Sequence, residues 1–275
     1  MHTPSCHVIL AVPTDAPALV VGGLIVVNLS YANLSYLATM NIRSDFNDEK
    51  TVQTLFDEFK KLIEQQQTIA FCDILRRSQL RVRMPFFLTR KTYSIFKIVG
   101  YAENIVFACS HYISHLEKRS TVLPTLFDIT DEHDISTIFD FDSLITGEDR
   151  SNALKNISQL NGFNGALAVS KDRETMGYAI SVPALRSDHI KIGPLYAINR
   201  RIALLLLRQL CKAVKPESLI SLNISSLNDS LYEFLHNRAI CEIERTFDRY
   251  HNKILQTDDH RRIFAISAFL TMPDY

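Results

Sequence analysis

The chain has 275 residues, 47% of them apolar and 22% charged, with 30 basic and 30 acidic side chains and no net charge at pH 7. That length holds one large domain or two of about 100–150 residues, and the apolar content excludes a disordered chain. Balanced charge argues against a nucleic-acid backbone as partner and leaves only a local basic patch open. Five scattered cysteines, Cys6, Cys72, Cys109, Cys211 and Cys241, fit reduced, buried thiols better than a disulfide framework. No CxxC pair supports a zinc site, so no metal is expected. The N-terminus has no basic n-region. The apolar run over 16–29 is shorter than the roughly 20 residues needed to span a bilayer and contains Pro17 and Gly22-Gly23. A soluble cytoplasmic protein with no membrane contact is expected.

Strands are predicted over 7–12, 24–29 and 34–42, with an irregular turn around Gly22-Gly23. Asn47 or Asp48 can cap a helix from Glu49, in which Val52, Leu55, Phe56, Phe59, Leu62 and Ile63 recur at helical spacing. Strands follow over 68–74 and 95–99, and the stretch to about His115 carries no firm pattern. A domain opening directly on a strand reads equally as a shortened domain or as an incomplete gene product. The polar, proline-terminated stretch Glu117 to Pro124 predicts a boundary near residue 120, giving a first domain over 1–119, a linker over 120–126 and a second domain over 127–275.

In the second half Thr130 can cap a helix to Ile138, with acidic residues in its first turn. Residues 139–150 (FDFDSLITGEDR) gather aromatic and acidic side chains around one glycine. A helix from Ser151 or Asn152 and strands over 166–170 and 176–182 come next. Ile190 to Val214 is the stretch that organises the chain. A β-branched run ends at Gly193-Pro194, and a long helix follows with Ile202, Leu205, Leu206, Leu207 and Leu210 as its apolar stripe. Lys215-Pro216 stops that helix. A strand over 219–224, a helix over 227–237 and strands over 241–247 and 263–270 close the chain. The first half repeats the centre of this order, as an internal repeat of topology.

This pattern resembles the GNAT acyltransferase superfamily, and its second half is similar to the YitH-like acetyltransferase group. Phe141-Asp142 with Gly147-Glu148-Asp149-Arg150, Met176-Gly177-Tyr178, Ile192-Gly193-Pro194-Leu195-Tyr196-Ala197 with Ala203, and Asn223 to Asn228 with Leu231 and Leu235 carry the likeness. The tandem, motif-poor arrangement resembles uncharacterised YitH-like proteins of nematodes. The resemblance implies an α/β fold of two GNAT-like domains, mixed sheets flanked by helices, the first degenerate or truncated. It also implies acyl transfer from acetyl-CoA or another acyl-CoA to the amine of a small molecule or peptide. In the superfamily the fourth strand splays to hold pantetheine, and backbone N–H groups at the next helix start take the pyrophosphate, as the helix dipole favours. Carried over, Ile192, Gly193, Pro194, Leu195, Ala197, Ile198, Asn199, Arg200, Arg201 and Asn228 bind the cofactor. Asp142, Asp149, Arg150, Tyr178 and Tyr196 face the acceptor, with the two aspartates gripping a cationic amine.

The superfamily turn is usually glycine-rich, and residues 197–202 (AINRRI) contain no glycine. In the first half, residues 43–50 (RSDFNDEK) put Asp45, Asp48 and Glu49 where a pyrophosphate would bind, so that half is not expected to hold acyl-CoA. The position of the proton-donating tyrosine falls on Leu235, with Tyr232 about one turn earlier as the remaining donor. His189 is a candidate base, because imidazole titrates near neutral pH. Each of these residues also has a bland role: helix caps and turns for the aspartates, with Arg150 paired to one of them, and a partly exposed strand end for His189. Cys211 and Cys241 read as core. Two function classes therefore stand, an N-acyltransferase and a catalytically inactive GNAT-like protein that binds acyl-CoA, another small ligand or a partner protein. A homo-oligomer has no sequence support.

Overall fold

The computed structural model describes residues 5–29, 34–76, 88, 90–117, 124–130, 132–184, 189–253 and 259–266. It divides into two compact units, Met1–Tyr93 with Phe247–Leu255, and Ser94–Thr246 with Gln256–Tyr275. This division falls elsewhere than the boundary expected near residue 120. Most of the expected linker lies outside the described residues, and its end is already strand.

In the first unit, β1 (Ser5–Ala11), β2 (Gly22–Leu29) and β3 (Leu34–Ile42) form an antiparallel meander. Helix α1 (Glu49–Gln66) then leads to β4 (Ile69–Leu75). β4 lies parallel to β3 over Leu34–Leu37 and antiparallel to residues 247–251 of β11 (Glu242–His251). The Asp48 side chain caps α1 by accepting the Thr51 N–H at 2.7 Å. The predicted stripe packs inward: Val52, Leu55, Phe56, Phe59 and Ile63 join Leu24, Val26, Leu37 and Cys72 in one core. Asp45 is engaged by Arg43 at 2.7 Å and Asp48 by the helix it caps, so both acids have structural partners.

In the second unit the strand order is β6 (Thr125–Ile129), β7 (Asn164–Val169), β8 (Thr175–Pro183), β9 (His189–Ala197), β10 (Leu219–Ser225) and β5 (Arg90–Tyr101, its residues from Ser94 onward). Among the described residues of this unit only β9 and β10 run parallel, joined by helix α6 (Arg200–Lys212). A short strand, β12 (Ile263–Ala265), pairs with β9. The core gathers Ile202, Leu206 and Leu210 of α6 with Ile105, Cys109 and Ile113 of α2 (Ala102–Glu117), the stretch that carried no firm pattern. That helix hides its period because its apolar residues are spread widely around it, with Phe107 exposed and Ile105 buried. Helices α3 (Glu132–Ser136), α4 (Phe139–Thr146), α5 (Ser151–Ser158) and α7 (Ser230–His236) complete the unit.

Two expectations are corrected. Gly193-Pro194 does not end a strand: β9 continues through it to Ala197, because proline lacking an N–H is tolerated at a bulge. Gly22-Gly23 is not the turn between the first two strands: both glycines lie inside β2, paired with Ala11 and Leu10 of β1. The predicted strand over 263–270 is described as far as Ala265, and 267–270 lie outside the described residues.

The internal repeat extends to register. β3 and β4 pair over only four residues each, Leu34–Leu37 and Ile69–Cys72, before β3 bulges at Ala38 between its Leu37–Val26 and Thr39–Ile25 pairs. β9 and β10 also pair over four residues each, His189–Ile192 and Leu219–Leu222, before β9 bulges.

Candidate functional site

The site expected from the sequence lies where β9 leaves β10. On its other edge β9 pairs with β8, where Ala179 faces Leu195 while Ser181 faces Ile192. Ile180 therefore stands opposite both Gly193 and Pro194. An extra residue of this kind bends and twists a strand, and the β9–β10 ladder stops at Ile192. Beyond the bulge the two parallel strands diverge, and β12 lies along the diverging part. Ile263 pairs with Tyr196 and Ala265 with Leu195. The Ile266 N–H donates to the Asn223 carbonyl of β10 at 2.9 Å. Residues 263–266 thus bridge the split, and all four are buried.

Helix α6 begins just after β9. Asn199 caps it in extended conformation, its side chain accepting the Ile202 N–H at 3.1 Å. One N–H expected to face a pyrophosphate is therefore already met within the chain, and glycine is absent because the cap needs no left-handed backbone there. Arg200 donates to the Tyr112 hydroxyl at 2.7 Å and lies over that ring, 5.3 Å from its centroid. Arg201 differs: its Nε and Nη2 atoms are buried and make no hydrogen bond among the described residues. Ile198 is exposed beside them.

Asp142, Arg150, Tyr178 and Tyr196 come together as a buried network. Asp142, 1% exposed, accepts Arg150 Nε at 2.9 Å, Arg150 Nη2 and the Tyr178 hydroxyl. Arg150 Nη2 also donates to the Tyr196 hydroxyl at 3.4 Å, and the guanidinium sits 5.5 Å from that ring's centroid. Burial disfavours the charged guanidinium, but the Tyr196 oxygen and the Asp142 carboxylate outweigh it, so Arg150 titrates well above its usual range. Burial, and then Asp142, raise the Tyr178 phenol, which stays protonated and donates.

The motif that carries these residues has a local logic. Gly147, at φ 72°, closes α4 with its N–H on the Ser143 carbonyl. Exposed Asp149 accepts the Ser151 N–H at 3.0 Å as α5 starts, and its bonds to Ser151 hold its carboxyl below the usual range. Arg150 then returns to Asp142 of α4. The aspartates were expected to grip a cationic amine; Asp142 instead neutralises Arg150, as a fully buried charge requires. Gly177 is also steric, since a Cβ there would stand 2.7 Å from the Tyr196 carbonyl oxygen and 2.9 Å from Ala197 Cα.

The remaining predicted residues are dispersed. His189 opens β9 opposite Leu219, four residues from Gly193, so about 13 Å of strand separates it from the bulge. Tyr232 stacks on Phe96 at 4.6 Å and on His236 at 5.1 Å. Asn228 donates to the Arg261 and Ile263 carbonyls at 3.1 and 3.0 Å, which makes it an anchor of β12. Ile192, Gly193, Pro194, Leu195 and Ala197 are all buried. Tyr112 and the segment over 263–266 were missed from the sequence. An apolar run announces a strand, but nothing in it names the strand it will pair with. Among the described residues no cluster could hold a metal ion, and no helix is long and apolar enough to cross a membrane.

Residues 138–265 match the family model of the acetyltransferase (GNAT) domain. No curated protein sequence matches the chain. Among solved structures, a candidate acetyltransferase from Pyrococcus horikoshii superposes with a TM-score of 0.65 at 15% identity, covering 96% of this chain and 79% of that one. A GCN5-related N-acetyltransferase from Sphaerobacter thermophilus gives 0.61 at 14% identity, with 92% and 82% covered. A tandem GNAT protein from the clavulanic acid biosynthesis pathway gives 0.56 at 8%, with 92% and 85% covered. The chain has a mixed α/β GNAT-like fold in tandem arrangement.

Proposed function

We propose that the second unit is an N-acyltransferase that moves an acyl group from acetyl-CoA or another acyl-CoA to the amine of a small molecule or peptide. The observation that carries this is Arg201 at the start of α6. Buried guanidinium N–H groups left without acceptors are costly, and a pyrophosphate would supply the missing oxygens at a helix start that already favours an anion. The likeness of residues 192–197 to the YitH-like group supports the same placement. The thioester carbonyl would be polarised by a backbone N–H of β9 beside the bulge, Gly193 rather than Pro194, which has none. The neutral amine attacks the carbonyl carbon to form the carbon–nitrogen bond, the carbon–sulfur bond breaks, the acylated nitrogen releases one proton to water, and the thiolate takes one. For that proton we propose Tyr232, because α7 follows the carboxyl end of β10, where the split opens. His189 stands at the opposite end of β9.

Calorimetric titration with acetyl-CoA tests the site. Arg201→Ala should weaken binding about 10- to 100-fold, the range of a lost charge-assisted hydrogen bond. Arg200→Ala should weaken it less, because Arg200 is committed to Tyr112. Equal affinity of wild type and Arg201→Ala would refute the assignment.

One observation favours a second reading: the split that should receive pantetheine is bridged by residues 263–266. A catalytically inactive GNAT-like protein binding acyl-CoA, another ligand or a partner protein has the same fold. Acylated product from an amine panel decides between the two.

A further inference from the structure

We propose that residues 259–266 form an intramolecular gate that competes with acyl-CoA for the split between β9 and β10. This rests on the acyl-CoA reading above. A peptide strand and a pantetheine arm are chemically alike where it matters, since both are extended chains with amides spaced to bond a strand edge. β9 presents one such edge beyond its bulge, and it is occupied: Ile263 and Ala265 pair with Tyr196 and Leu195, and Ile266 reaches across to Asn223. Backbone groups that could hold pantetheine are thus bonded to the chain itself.

The attachment suits a displaceable element. β12 is only three residues long, and its register on β9 is irregular between Ile263 and Ala265. Before it lies a 3-10 turn over His260–Arg262 with no buried residue. Asn228, in the turn between β10 and α7, holds the entry to the strand through the Arg261 and Ile263 carbonyls. Against release stand the buried side chains of Ile263, Phe264, Ala265 and Ile266. The gate is therefore closed in the free protein and lowers apparent affinity by the fraction of molecules in which it is open.

Three forms test this: the full chain, Asn228→Ala, and a chain ending at Asp258, each first checked for a cooperative thermal transition. Acetyl-CoA affinity by calorimetry should rise at least tenfold from full chain to truncated chain, with Asn228→Ala between them. Hydrogen exchange on the full chain gives a readout that needs no variant. Saturating acetyl-CoA should strip protection from amides 263–266 while 195–197 stay protected. Equal affinity in all folded forms, or unchanged protection at 263–266 under saturation, overturns the gate and leaves the acyltransferase reading standing. Failure of every folded form to bind at millimolar acetyl-CoA overturns that reading, and the gate with it.

Discussion

Replacing Asp142 by alanine separates a structural carboxylate from a substrate-binding one. Asp142 is 1% exposed and carries both Arg150 and the Tyr178 hydroxyl. Its loss leaves a buried guanidinium without its counter-ion, a defect worth about 3–5 kcal/mol. The orphaned phenol adds to the cost but not independently, since the three groups share one network. A loss of about 4 kcal/mol corresponds to roughly 8–16 °C in the melting of this unit, at about 2–4 °C per kcal/mol. Asp142→Asn keeps an acceptor and should cost less. Asp142→Ala with Arg150→Met removes both charges and should recover part of the loss, because no buried charge is left unpaired, while the Tyr178 phenol stays without its acceptor. Differential scanning calorimetry and urea titration measure all three. A loss below about 1 kcal/mol for Asp142→Ala, the range of a surface pair, would refute the reasoning, and an unchanged melt with a raised KM for an amine would return Asp142 to the acceptor site.

Three further outcomes follow from burial and contact. His251, 1% exposed, bonds Thr92 at 2.5 Å, and burial, then Arg249, push its pKa from 6.5 down to about 3. The unfolded chain binds a proton there that the folded chain refuses, so stability should fall as pH drops below about 6.5, by up to ~1.4 kcal/mol per unit. Urea melts between pH 7 and 5 should show a shallower slope for His251→Gln, and equal slopes would exclude His251 as the cause. Maleimide at pH 8 should label Cys6 alone in the folded protein and all five cysteines in denaturant. Cys6 is exposed, whereas burial raises the thiols of Cys72, Cys109, Cys211 and Cys241, those of Cys109 and Cys241 to about 12; mass spectrometry counts the adducts, and a second native adduct contradicts this. Gly177→Ala should destabilise by about 1–3 kcal/mol, since its Cβ meets backbone that cannot give way, and a thermal melt that does not move would show that β8 and β9 can separate there.

The sequence alone determined the local elements and their order. Apolar spacing fixed α1 and α6, because a helix face is written in residues three and four apart. Asp48 is legible as a cap because it bonds three residues along its own chain. The Asp142–Arg150 pairing stood among the alternatives because a turn brings the two close. Tertiary structure decided what depends on partners remote in sequence. It carried β9 through Gly193-Pro194, because β8 supports the bulge from the other edge. It committed Arg200 to Tyr112, 88 residues away, and left the Nε and Nη2 of Arg201 unbonded among the described residues. It also set Ile263–Ala265 against β9, where the sequence led one to expect pantetheine. Strand pairing is a choice among all available edges, and the chain carries no local mark of which edge β12 will take.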